Sequence, residues 1–193
     1  EALTSLALPF APRPATADPS ATNSSGLTGA VSRRGRVAPP PTLAERVRQD
    51  SIRFSAGLSR ASFDSLNVAF VRDIADARRA RDAGAVRRLL VFQGAGYAMT
   101  GDALRSLPLL DEAISSIEAA ADTSGLLVAL RWRTYAAGSL GRLDEQERFA
   151  RRLVGVAEAT NDDRFLAIGH NFLGWIARQR GDLRWARAHL ERA

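Results

Sequence analysis

Three glycines, Gly101, Gly141 and Gly181, stand 40 residues apart, and a chain whose other residues keep that period has few folds open to it. They do keep it. Phe92, Trp132 and Phe172 form an aromatic column at the same shift, with Ile52 in register one step upstream. Gly94, Thr134 and Gly174 form a small-residue column, and Phe70, Leu110, Ala150 and Leu190 an apolar one. Ala103, Leu143 and Leu183 follow the glycines by two, with Phe63 in register upstream. Asp82, Asp122 and Asp162 recur where each new unit would begin. One period shared by several independent columns marks an array of stacked units, each leaving an apolar face that only its neighbour covers.

The unit itself reads as a pair of antiparallel helices. From Leu43 onward apolar and charged residues follow helical spacing, and no segment alternates strictly enough over four to eight residues to argue for a strand. Asp122-Thr123-Ser124 and Asp162-Asp163 supply side-chain acceptors for the free amides of a helix start. A first helix is predicted to run to about Leu140 or Arg180, where the glycine permits a closing left-handed turn. Leu143 or Leu183 then opens a second helix that ends near the next Asp. The predicted fold is all-α, a solenoid of about four hairpins over 43–193 with the last incomplete, so that the natural protein is expected to continue. The copy at 43–82 has Ala61 where the others have glycine, and reads as a degenerate or capping first hairpin.

Within this frame Gly174, Gly181-Asp182-Leu183, Ala186, Leu190 and Ala193, in LGWIARQRGDLRWARAHLERA, resemble the tetratricopeptide (TPR) repeat in its internal spacing. Leu90, Gly94, Tyr97, Gly101-Asp102 and Ala113 match it in an earlier copy. The likeness thins over 127–157, where Arg133 and Gln146 occupy positions that the family gives to apolar or small residues. The period exceeds the family's usual length of about 34 residues, and implies longer second helices of the kind found in bacterial regulator-type arrays. The resemblance implies a right-handed superhelix whose first helices line a concave groove. Carried over position by position, that groove takes Val91, Phe92 and Ala95; Arg131, Trp132 and Tyr135; and Asn171, Phe172, Trp175 and Arg178. Aromatic and arginine side chains are frequent interface anchors, and arginine can grip a carboxylate with two hydrogen bonds. For the 92/132/172 column, packing between hairpins is the plainer reading. The function implied is a protein–protein interaction scaffold that binds a protein or peptide, with no enzymatic role and no cofactor. The other reading is the non-catalytic repeat region of a larger bacterial signalling protein, transcriptional regulator or CHAT-type peptidase, with its effector domain beyond Ala193.

Charge and composition narrow the partner class. All 27 basic residues are arginine, a usage that fits a GC-rich genome and hence a bacterial source. Residues 43–193 hold 23 arginines against 19 acids, an excess that reads as a solvated surface rather than a phosphate-tracking footprint. Nucleic acid is therefore not the expected partner. With no cysteine, thiolate metal sites and cysteine nucleophiles are excluded, and no apolar run approaches the ~18 residues of a membrane span. Residues 1–42 read as a separate Ala/Pro/Ser-rich tail. Its apolar start followed by Ala15-Thr16-Ala17 has the form of the end of a signal peptide, and disordered tail fits equally. Cytoplasmic and exported locations both stay open.

Other chemistry finds weaker footing. His170 and His189 are 19 residues apart on opposite helices with no third ligand in view, and read as packed or surface histidines. Gly94-Ala95-Gly96 lies inside a helical pattern, with no preceding strand to make a phosphate loop. Asp111-Glu112 and Asp144-Glu145 read as charges on helix faces.

Overall fold

The structure, a computed structural model, describes residues 40–56 and 59–193. The predicted tail, with its signal-like start, falls almost wholly outside the described residues. Eight helices follow one another: α1 (Leu43–Ser55), α2 (Arg60–Arg79), α3 (Ala83–Met99), α4 (Ala103–Ala119), α5 (Thr123–Ser139), α6 (Leu143–Thr160), α7 (Asp163–Gln179) and α8 (Leu183–Leu190). No strand occurs among the described residues.

The recurring aspartates start these helices. Asp82, Asp122 and Asp162 accept from the amides of Ala85, Gly125 and Phe165 at 2.9, 2.9 and 3.1 Å. Each thereby satisfies an amide that the first helical turn leaves without a partner. Thr42 does the same for α1 in a reciprocal box, Glu45 reaching back to the Thr42 amide at 2.7 Å.

The turns show a rule that the glycine spacing only half revealed. Gly101, Gly141 and Gly181 have φ of +90°, +69° and +80°, the left-handed backbone that closes each hairpin. Twenty residues before each of them Arg81, Ala121 and Asn161 adopt φ of 56°, 51° and 52° at the turns that join one hairpin to the next. A left-handed residue therefore recurs every 20 positions, and at half of them it carries a Cβ. The expected lengthening of the second helix is seen in the first hairpin, where α2 has 20 residues against 13 in α1, and not in the next two. α3 and α4 have 17 residues each, and α5 and α6 have 17 and 18. In those two hairpins the long period is shared between both helices, because each turn is equally short.

Consecutive helices pack against one another along the whole series. In addition the backbones of α1 and α3, of α3 and α5, and of α5 and α7 come close, whereas even-numbered helices keep their backbones apart and meet through long side chains, Arg78 of α2 with Glu112 of α4 and Arg152 of α6 with Glu118 of α4. The odd helices thus form a contiguous row, with the even ones behind it. Within a hairpin the close approach is set by size. A Cβ on Gly94 would lie 2.7 Å from Leu110, and one on Gly174 2.9 Å from Leu190. At the equivalent place in α5–α6 the larger residue has moved to the first helix: Thr134 stands there, and Ala150 replaces the leucine, both fully buried. Phe63, Phe70, Leu89, Ile117, Leu130 and Leu153 anchor a continuous core. Each fully buried large side chain of this kind contributes about 1.5–3 kcal/mol.

Candidate functional site

The row of odd helices places the sequence-predicted groove residues on two neighbouring helices. Arg131 and Tyr135 are four apart on α5, and Asn171 and Trp175 are four apart at the equivalent positions of α7, so each pair shares a helix face. Asn171 and Arg178 are exposed, while Arg131, Trp132, Tyr135 and Trp175 are half-buried. Each half-buried ring has an identifiable bed. Tyr135 packs on a small cluster of Ala98, Ala103, Leu107 and Ala136. Trp175 rests against Ala150, Leu173 and Ile176. Phe92, Trp132 and Phe172 all pack against the main core, the role that packing between hairpins predicts for their column. Trp132 meets Tyr135 edge-to-face at 5.9 Å.

Arg131 is the unusual member. Its guanidinium lies 4.8 Å over the Trp132 ring, a cation–π contact that holds it in place. It makes no ion pair among the described residues. Burial and, secondarily, the nearby Arg164 charge push its pKa below the usual arginine value. Arg133, two residues on, is the opposite case. It is buried, and it binds Asp111 of α4 at 2.7 Å and Glu145 of α6 at 3.1 Å. The position that departs from the family pattern is thus a three-helix clasp. Glu112 and Asp144 are likewise engaged between helices, with Arg78 and Arg180.

Two open depressions lie on the odd row. One is lined by Ala44, Arg48, Ser51, Ile52 and Ser55 of α1 together with Arg88 of α3. The other takes Arg87, Arg88, Val91 and Phe92 of α3 with Gly125 and Val128 of α5, and is bordered by Ile117 of α4 and by Asp122, which pairs with Arg87 at 3.6 Å. Ser51 and Val91 are the 40-residue equivalents of Arg131, and Ser55 is the equivalent of Tyr135. Arg48 and Arg88, themselves 40 apart, went unremarked in the sequence although the period that aligned the apolar columns also aligns them. Nor is charge spread evenly over the helices. The odd helices carry nine arginines against three acids, and the even helices ten of each. An excess that looked diffuse along the sequence is concentrated on one row.

The two histidines, distant in sequence, are brought together. Their Nδ1 atoms stand 2.9 Å apart, both rings are buried, and Trp185 meets His189 edge-on at 4.3 Å. Burial lowers both pKa values, with Arg192 opposing a charge on His170 and His170, Arg192 and Arg151 opposing one on His189. No group of three or more His, Cys, Asp or Glu side chains suited to a metal occurs among the described residues, and no described helix is long and apolar enough to cross a membrane. No protein-family model matches the chain, and no curated protein is significantly similar to it.

Proposed function

We propose that this chain is an interaction module: a TPR-like, right-handed superhelix with the odd helices on its concave side, holding a peptide or partner domain there. The observation that carries the reading is the half-buried, carboxylate-free Arg131. It is set on Trp132, four residues before Tyr135 on α5, with Asn171 and Trp175 at the equivalent positions of the neighbouring α7. Fixed aromatic rings offer contact area at little cost in conformational entropy, and a desolvated guanidinium offers strong, directional hydrogen bonds to an incoming carboxylate or carbonyl. The closer spacing of the odd helices supports a row that curves toward its own side.

The test is selection of displayed random peptides against the full chain, followed by affinity measurements with Arg131→Ala and Trp175→Ala. Selected peptides should lose about tenfold or more in affinity with Arg131→Ala, the scale of a hydrogen bond to a charged group. The melting temperature should shift little, because the side chain gives up only its contact with Trp132. Selected peptides that bind both variants as tightly as the parent would refute the reading.

A further inference from the structure

Three arginines on successive odd helices, Arg48 on α1, Arg88 on α3 and Arg131 on α5, make no ion pair among the described residues. Glu45, one turn before Arg48, is occupied in capping Thr42. Neither α3 nor α5 contains an acid within its span, and Asp122, which caps α5 and borders the second depression, is paired with Arg87. Arg48 and Arg88 face one depression together, and Arg88 also borders the next. Their spacing is fixed by the repeat. Arg48 and Arg88 are equivalent residues on touching helices, hence about 8–10 Å apart at the backbone. Arg131 lies three residues beyond Val128, the equivalent of Arg88, a rise of about 4.5 Å along α5 that makes the second step ~10 Å.

We infer that this row takes an acidic peptide in a polyproline II conformation with a carboxylate at every third residue, one for each of Arg48, Arg88 and Arg131. The inference rests on the groove reading above and specifies its ligand. Polyproline II repeats every three residues with a rise of about 3.1 Å, so side chains three apart share one face at ~9 Å spacing. That matches the step between neighbouring odd helices. A β-extended peptide does not match, because alternate residues turn to opposite faces and every third one points away. A nucleic-acid strand presents a phosphate at each nucleotide and gains affinity from an unbroken basic track. Here the columns between the arginines carry Ser51, Val91 and Val128.

The experiment measures fluorescence anisotropy of two labelled peptides on the full chain. One is four repeats of Glu-Pro-Ala, and the other has the same composition with its glutamates contiguous. The repeating peptide should bind about tenfold more tightly. Arg48→Ala and Arg88→Ala, at exposed positions that leave folding intact, should each weaken it about two- to fivefold, and Arg131→Ala about tenfold or more. Equal affinity for both peptides overturns the spacing, and binding indifferent to all three variants overturns the row. If neither peptide binds while library-selected peptides still bind through Arg131, the acidic ligand is wrong and the groove reading stands. If selected peptides also ignore Arg131, both fall. A twelve-nucleotide oligothymidylate that binds more tightly than the repeating peptide and displaces it would assign the row to nucleic acid and overturn the inference.

Discussion

Arg133 shows how this array spends a buried charge. Its side chain is 6% exposed and pairs with Asp111 and Glu145, which are 51% and 32% exposed, while its Nη1 is buried without an acceptor. The guanidinium also lies 4.4 Å over the Phe149 ring. Removing both acids, Asp111→Ala with Glu145→Ala, leaves a cation where water barely reaches. The loss for breaking a buried pair from one side is about 3–5 kcal/mol, and the exposure of Asp111 argues for the lower end. At roughly 2–4 °C per kcal/mol for a domain of this size, the melting temperature should fall by about 6–12 °C. Arg133→Leu acts differently. Leu173 fills the equivalent place in α7 at 3% exposure, and the two acids, once released, can be hydrated. That variant should stay within about 1 kcal/mol of the parent, as apolar replacements of buried ion pairs often do. Thermal and urea melts of the two variants side by side decide it. If Arg133→Leu loses as much as the double acid variant, the ion pairs are a net attraction and the desolvation argument is wrong.

The backbone and the histidine pair give four further outcomes. Gly96→Ala should lose about 3 kcal/mol in urea melts, because its Cβ would enter the buried Phe63 ring. Gly155→Ala, which meets open space in the middle of α6, should instead gain about 0.5–1 kcal/mol. Ala121→Gly should stabilise by about 1 kcal/mol, relieving the left-handed backbone of a residue with a Cβ, and an unchanged midpoint would count against strain there. Because His170 and His189 hold pKa values below 6.5 in the fold, the unfolded chain takes up protons first. Stability should therefore be complete above about pH 6.5 and fall as pH drops toward the folded values. Melts from pH 7.5 to 5 should show that slope in the parent and a flatter one in a His170→Gln, His189→Gln variant.

What the sequence made legible follows from which signals are local. An aspartate before a helix and a glycine after one act on their own neighbours, so Asp82, Asp122, Asp162 and the three hairpin turns could be read residue by residue. Arg81 and Ala121 could not, because nothing in their side chains advertises a left-handed backbone, and only Asn161 belongs to a type that visits it readily. His170 and His189 meet because the hairpin folds back at Gly181 and brings them level, a fact about topology rather than about either residue. Arg133 looked like a flaw in the repeat because its partners come from α4 and α6, two helices other than its own that lie apart in sequence. The charge of the odd row was hidden for a related reason: acids and arginines interleave along the chain and separate only when alternate helices are gathered to one side.

The central claim is that partners dock on the odd row, and amide and indole chemical-shift mapping with a library-selected peptide tests it most directly. The account predicts that the largest shifts fall on Arg131, Tyr135, Asn171 and Trp175, extending toward Arg88 and Arg48. Shifts confined instead to the exposed outer positions of the even helices, such as Val68 and Val71 of α2 and Leu104 of α4, would contradict it.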